Sequence, residues 1–221
     1  MLNRNTIMQA PTAQIHSSGG RNRIVTVIWL IVLAIGAYFV WDNVPRYLTL
    51  NEESYGPYYW PRAAYLLPHI LGGLVAIVIG PFQFWSRIRN RFPKFHRISG
   101  RVYLIAILVG AVAGIAMALT SARGTAYASG LFGLGIAWLA TSGMALAAIR
   151  RRHFIQHKQW MIRSYVVTFA FVSFRIVDDT LVYFEIGKRL DNLPMLAWGC
   201  WAVPLLVTEL VIQGRHIFSK S

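Results

Sequence analysis

The chain of 221 residues is 56% hydrophobic and only 14% charged, and its mean hydropathy is +0.47. Soluble domains carry about 25% charged residues, so this composition excludes an ordinary soluble domain and predicts a multi-pass membrane protein. The formal net charge of +14 does not indicate nucleic-acid binding, because the basic residues are spread over short segments between apolar runs. The single cysteine, Cys200, excludes an intrachain disulfide.

Six apolar runs follow one another along the chain, each close to the roughly 20 residues that a helix needs to span a bilayer. They predict an all-α polytopic bundle of six transmembrane helices, at about 24–41, 63–85, 100–119, 128–149, 161–183 and 194–213. Residues 1–23 are polar and no cleavage site follows the first run, so we expect a disordered tail and a retained helix. Residues 214–221 are predicted to form a second tail.

The second run carries a polar residue near each end, His69 and Gln83, with small residues between them. Steps of three, four and seven residues place on one helical face His69, Gly73, Ala76, Gly80 and Gln83. Small side chains on such a face allow a neighbouring helix to approach closely. Pro81 lacks an N–H and therefore leaves the carbonyl of Ile77 without its helical donor.

The third and fourth runs also carry small residues at helical spacing. The third contains Gly110-x-x-x-Gly114, a spacing that is found where helices pack closely in membranes. The fourth has small and polar residues along one side, namely Gly130, Gly133, Ala137, Thr141 and Ala145. The pattern predicts that the fourth helix lies inside the bundle with neighbours against it.

The fifth run follows the basic segment 150–158 and carries charges where a spanning helix usually has hydrocarbon. A helical register that begins in the basic segment places on one side His157, Ser164, Thr168, Phe171, Arg175 and Asp179, all of them polar except Phe171. Charged groups inside a bilayer are costly and need partners, so we expect Arg175 to pair with Asp178, Asp179 or both.

The lysines and arginines predict the orientation. Sixteen of the 22 lie in the N-terminal tail, in residues 87–101 and 150–163, and at the C-terminus; the alternate connections hold far fewer. By the positive-inside rule, both termini should be cytoplasmic, and we expect a bacterial cytoplasmic (inner) membrane. The basic inner loops should attract anionic lipid head groups.

This orientation separates two candidate sites. The outer half holds His69, Arg175, Asp178 and Asp179, which form either a proton or cation site or a satisfied buried network. The inner half holds Gln83, His96, His153 and His157. Because His153 and His157 are four residues apart on a helix, both imidazoles can face one ion or cofactor. The alternative is that these histidines are solvated loop residues among lipid-binding arginines.

Three segments, PHILGGLVAIVIGPFQFW, FHRISGRVY and HKQWMIRSY, together with Arg175, resemble the bacterial predicted membrane protein family called domain of unknown function 2306. The resemblance covers about Pro68–Asp178 and implies no activity. By position it highlights His69, Gly72, Gly80, Gln83, His96, Arg97, Gly100, Tyr103, His157, Trp160, Arg163 and Arg175.

The sequence leaves three functional hypotheses open. The first is electron transfer through haem b, held by two of His96, His153 and His157, or through a divalent metal that would recruit His153 or Gln83 as a further ligand. The second is a proton-coupled carrier of a small solute or ion that uses the outer cluster. The third is a non-catalytic assembly or lipid-binding protein. No nucleophile elbow, phosphate-binding loop or His-Glu-x-x-His pattern argues for a hydrolase.

Overall fold

The computed structural model describes residues 18–218, without the side chains of residues 18–22 and 24. All regular structure in this range is helical. The nine α-helices of the described range are α1 Ser18–Asn43, α2 Glu52–Tyr59, α3 Ala63–Phe84, α4 Ser86–Arg91, α5 Pro93–Leu119, α6 Thr125–Arg150, α7 Phe154–Thr168, α8 Ala170–Tyr183 and α9 Arg189–Phe218. Two short 3₁₀ helices, Pro45–Thr49 and Trp60–Arg62, flank α2.

The chain forms two compact units, Met1–Ile35 and Gly36–Ser221. In the first unit, the described residues belong to the N-terminal part of α1, whose side chains are mostly exposed. This helix begins at Ser18, inside the predicted disordered tail, and the preceding residues of that tail lie outside the described range. At the other terminus α9 continues to Phe218, beyond the predicted end of the last span.

Within residues 18–218, five segments are long and apolar enough to cross a membrane. They are Val25–Thr49, Glu52–Phe84, Pro93–Leu119, Thr125–Arg150 and Arg189–Phe218. The remaining predicted span, 161–183, is divided at Phe169 into α7 and α8. Backbone bonds continue across this break, because the Phe169 N–H donates to Tyr165 O (3.2 Å) and the Ser173 N–H to Phe169 O (2.9 Å).

A threonine side chain lies at this break. Neither proline nor glycine lies there, but the Thr168 hydroxyl donates to the carbonyl of Ser164, four residues back, at 2.9 Å. Such back-bonds compete with the helical ladder and often bend helices. The predicted fifth span is thus two consecutive short helices, α7 and α8, rather than one continuous helix.

Close packing of α3 against α5 depends on glycines. An added Cβ at Gly72 would lie 2.8 Å from the Cα of Gly110, whereas one at Gly73 would meet nothing within 4 Å. The tight contact is thus made by Gly72, next to the residue that the helical face predicted. Gly110, the first glycine of the predicted close-packing motif, also lies against Trp138 of α6.

Tyrosine and tryptophan side chains complete the packing of two other helix pairs. The Tyr165 hydroxyl donates to the carbonyl of Ile77 at 3.2 Å, the carbonyl that Pro81 leaves without a helical donor. Trp201 of α9 packs on α6, and its indole N–H donates to the carbonyl of Gly130 at 3.1 Å. Both contacts satisfy backbone carbonyls that have no water partner inside a bilayer.

We name the two ends of the second unit, the Arg62 end and the His157 end, after residues that make contacts there. At the Arg62 end, α3 begins beside the end of α5, since Arg62 donates to Thr120 O and the Tyr58 hydroxyl bonds to that of Ser121. At the His157 end, α7 begins beside the end of α6, where His157 bonds to Ala145 O. Between the two ends, large apolar side chains cover the outside of the bundle, as a lipid environment requires; Ile105, Leu206 and Leu210 are 60%, 59% and 64% exposed.

Candidate functional site

A cavity of about 560 Å³ lies in the second unit, within the size range of small-molecule pockets. It extends from Arg46 and Arg62, at the Arg62 end, to Thr168 at the break between α7 and α8. Three of the four residues predicted for the outer cluster line it, namely His69, Arg175 and Asp178. Its deeper wall is apolar and aromatic, and includes Trp138, Phe171 and Phe174.

The imidazole of His69 is held in a defined orientation. Its Nδ1 lies 2.8 Å from the carbonyl oxygen of Gly110, and a carbonyl can only accept, so Nδ1 carries the proton. In the neutral ring Nε2 is then left as an acceptor. Gly114 provides the space, because an added Cβ there would lie 2.9 Å from the ring. The ring also makes edge contacts with Trp138 and Phe171.

The two aspartates of the predicted cluster occupy different environments. Asp178 is buried, and its carboxylate accepts a bond from the Arg189 guanidinium at 2.6 Å. Arg175 lies farther from it, at 4.0 Å, and 3.6 Å from Asp179. The Asp179 side chain is 60% exposed, so it lies outside the buried set. Sequence reasoning missed Arg189 because that residue belongs to the next helix.

A chain of buried hydroxyl groups leads from the cavity wall into the bundle. The Trp138 indole N–H donates to Thr168 Oγ1 at 2.9 Å, and the Tyr103 hydroxyl lies 3.3 Å from the same atom. The Tyr103 hydroxyl also bonds to Ser164 Oγ at 2.9 Å, and Ser164 Oγ to Ser142 Oγ at 2.9 Å. Of these five residues, the family resemblance highlighted Tyr103, and the polar face predicted for the fifth helix included Ser164 and Thr168. Trp138 and Ser142 were not predicted.

The residues predicted for the inner site lie around the His157 end without forming one cluster. His157 donates from Nδ1 to Ala145 O at 2.8 Å, which leaves its Nε2 as an acceptor. The buried Nδ1 of His96 has no hydrogen-bond partner, and His96 lies within electrostatic range of His157. Gln83 is buried and donates to Ser99 Oγ at 2.8 Å, whereas His153 is exposed. Among residues 18–218, no group of three His, Cys, Asp or Glu side chains is placed to hold a metal ion.

One intramembrane ion pair was not predicted. Arg163 of α7 donates from both Nε (2.8 Å) and Nη2 (2.5 Å) to one carboxylate oxygen of Glu209 in α9. The Arg163 side chain is 8% exposed and that of Glu209 40% exposed. The Trp160 ring lies under the guanidinium, 4.6 Å from its Cζ. In the sequence, Arg163 lies at the start of the fifth apolar run and Glu209 towards the end of the sixth, so both fall near the His157 end, and that shared depth was the available signal.

Helix composition, the apolar exterior and the buried polar groups together define a multi-pass helical membrane protein, which resides in a lipid bilayer. The model of the family described as predicted membrane protein, domain of unknown function 2306, matches residues 66–212, more than half of the chain. The chain belongs to this family, and the resemblance over Pro68–Asp178 is confirmed and extended. No curated protein and no solved structure matches the chain.

Proposed function

We propose that this protein is a proton-coupled carrier that binds a small solute in the cavity beside His69. The observation that carries the proposal is a cavity that extends from the Arg62 end to the break between α7 and α8, inside the bundle. Interrupted helices and ionisable residues at membrane depth are typical of transporter binding sites.

His69 and Asp178 are the groups that we assign to the site. Both line the cavity, and the free Nε2 of His69 is able to accept a proton or a donor group of the solute. Asp178 is bonded to Arg189 at 2.6 Å and lies 4.0 Å from Arg175, so a solute that takes Asp178 or Arg189 would deprive the other of its closest counterion. Binding and release of a solute are thereby linked to the ionic state of the site.

The hydroxyl chain supports a route for protons away from the cavity. Thr168 lies in the cavity wall, and Tyr103, Ser164 and Ser142 continue from it in direct hydrogen-bond contact. Each hydroxyl is able to accept one proton and donate another. The route leads towards the His157 end, since Ser142 lies in α6 one turn before Ala145, whose carbonyl accepts from His157.

Proteoliposomes that contain a pH-sensitive dye test this function. We expect at least one class of small solute, among carboxylates, phosphomonoesters, amines and sugars, to cause proton movement only when the protein is present. His69→Gln should reduce that movement about tenfold or more, whereas His216→Gln, a change in an exposed residue of α9, should not. The absence of solute-dependent proton movement for every class, or equal rates in both variants, would contradict the proposal.

A second candidate function is electron transfer through a haem at the His157 end. Histidines that bind metals commonly donate their other N–H to a backbone carbonyl, and His157 does so to Ala145. The unpartnered buried nitrogen of His96 is a second available ligand nearby. Two axial nitrogens suit a haem, whereas a metal ion bound by protein alone needs three or four ligands.

The haem hypothesis has a direct spectroscopic test. Protein purified after expression with a haem precursor should show a Soret band that shifts on reduction with dithionite. His157→Ala should abolish or alter the band, and His153→Ala, at an exposed position, should leave it unchanged. A colourless protein, or one whose band is the same in His157→Ala, refutes this second function.

The membrane orientation is also a proposal. We expect both termini in the bacterial cytoplasm, with the basic segment 150–163 facing anionic lipid head groups of the inner leaflet. In a Cys200→Ser background, cysteines that replace Arg151 and Glu53 should react with an impermeant maleimide from opposite sides. Reaction of both from the periplasmic side would reverse this assignment.

A further inference from the structure

The part of the cavity nearest the Arg62 end carries positive charge without carboxylate partners. The guanidinium carbons of Arg62 and Arg123 lie 3.6 and 4.0 Å from the centroid of the Tyr58 ring. Arg46, at the same end of the cavity, donates to the hydroxyl of Tyr47 at 2.8 Å. The ion pairs of the described residues do not include Arg46, Arg62 or Arg123.

The charge of the whole cavity wall is strongly positive. Five arginines and one carboxylate line the cavity, and that carboxylate, Asp178, is bonded to one of the five, Arg189. With neutral histidine, the lining residues have an excess of four positive charges, and Asp179, just outside the wall, lies 3.6 Å from one of these arginines, Arg175. A concave wall of low dielectric constant concentrates such a potential and draws in anions.

Arginine also has the geometry that recognises anions. Its planar fork binds carboxylate or phosphate oxygens through two parallel N–H donors. The carbonyls of Tyr58 and Thr120 hold Arg62 in place, because its guanidinium donates to both. A cationic site held by neutral groups keeps its charge available for a ligand.

The opposite part of the cavity is suited to an apolar group. Phe171, Phe174 and Trp138 contribute aromatic surface there, and Leu134 and Leu131 contribute aliphatic surface. A ligand that satisfies both parts has an anionic head and an apolar body. The dimensions of the cavity allow both to be enclosed, since small-molecule sites range from about 300 to 1,000 Å³.

We propose that the ligand of this cavity is an amphiphilic anion, with a carboxylate or phosphate head held by Arg62 and Arg123. Its apolar body lies against the aromatic wall beside His69. This inference rests on the proposed function, because it names the class of solute that the carrier would bind. The same chemistry is offered by a soluble organic anion and by the head group of an anionic lipid.

Phenyl phosphate is a suitable probe, since it combines both features and is water-soluble. In nanodiscs of phosphatidylcholine, calorimetry should detect binding of phenyl phosphate, weaker binding of inorganic phosphate, and none of benzylammonium. Binding should weaken as the ionic strength rises. Equal binding of phenyl phosphate and benzylammonium overturns the inference.

Matched charge variants locate the site. Arg62→Gln/Arg123→Gln should weaken binding of phenyl phosphate about tenfold or more. Arg87→Gln/Arg89→Gln removes the same charge from exposed residues at the His157 end and should leave binding unchanged. If melting shows that the first variant is unfolded, Arg46→Gln, a change in an exposed residue, replaces it and should weaken binding several-fold. Equal affinities in the folded Arg62-end and control variants overturn the inference.

Two further measurements distinguish a lipid head group from a soluble anion as the ligand, and distinguish the anion inference from the carrier proposal. Phosphatidylglycerol in the nanodiscs should compete with phenyl phosphate if the head of a lipid is the ligand, and should not compete if the ligand is soluble. Either result supports an anion site. If phenyl phosphate fails to bind while an amine or sugar drives proton movement, the anion inference is wrong and the carrier proposal stands. If phenyl phosphate binds but no solute drives proton movement, the anion inference stands and the carrier proposal is wrong.

Discussion

Two adjacent glycines of α3 provide a test of the packing that shapes the cavity. A methyl group at Gly72 would lie 2.5 Å from the carbonyl oxygen of Ala106 and 2.8 Å from the Cα of Gly110. Both are backbone atoms, which cannot rotate away. A methyl group at Gly73 would meet nothing within 4 Å, since Gly73 faces the cavity. Gly72→Ala should therefore destabilise the protein, and Gly73→Ala should not.

The magnitude follows from the separation that the helices would need. To restore ordinary contact distances at Gly72, α3 and α5 must move apart by about 0.5–1 Å, which forfeits about a quarter to a half of each dispersion contact at the interface. Overpacking of this kind costs about 1–3 kcal/mol. Each change from glycine to alanine also stabilises the helix by the same amount, about 0.5–1 kcal/mol in soluble helices. The difference in stability between the two variants therefore isolates the steric cost.

Thermal unfolding of the two variants in detergent measures this difference. For a chain of this size, about 1–3 kcal/mol corresponds to a melting temperature that is lower by about 2–12 °C in Gly72→Ala than in Gly73→Ala. Equal melting temperatures, or a lower one for Gly73→Ala, would show that α3 and α5 do not pack through Gly72 as described.

Two other predictions concern single contacts. Glu209→Leu should lower the melting temperature more than Arg163→Leu/Glu209→Leu does, because only the first leaves the buried guanidinium of Arg163 unpaired; equal losses would show that the pair is not coupled. Tyr165→Phe should lower the free energy of unfolding by about 0.5–1.5 kcal/mol, because it leaves the carbonyl of Ile77 without a donor. In a Pro81→Ala background the same change should cost close to nothing, because the backbone N–H of residue 81 then donates to that carbonyl. Equal costs of Tyr165→Phe in both backgrounds would contradict this role for the hydroxyl.

The helical periodicity predicted which residues share a helix face better than it predicted which residues of other helices they contact. The carbonyl of Ile77 was correctly expected to lack its helical donor, because that follows from Pro81 alone. Its donor, Tyr165, lies 88 residues away and depends on which helices are neighbours. The predicted face included Gly73, whereas the family resemblance highlighted Gly72, which makes the contact. Neighbouring positions differ by about 100° around a helix, and both glycines fall near the edge of the face drawn from sequence.

The cavity itself could not be derived from the apolar runs. Its lining joins His69 to Arg62 and Tyr58, which precede α3 in a segment without clear periodicity. Nothing in the sequence pattern indicates that two arginines, Arg62 and Arg123, would both lie against the ring of Tyr58. Charge placement was predicted only in part, because Asp178 pairs most closely with Arg189, beyond the turn that separates α8 from α9.

The way in which the charges are stabilised supports an anionic ligand at the Arg62 end. Asp178 neutralises Arg189 in the same cavity wall, and Glu209 neutralises Arg163 between α7 and α9; such pairs leave little net potential. Arg62 and Arg123 are instead placed against the Tyr58 ring, where cation–π contacts contribute about 0.5–2 kcal/mol without removing the positive charge. A carboxylate in place of the ring would hold them more tightly but would cancel their field. Aromatic support is thus the arrangement that leaves both guanidiniums able to attract an anion, and charge-removing variants at these two positions are the decisive measurement.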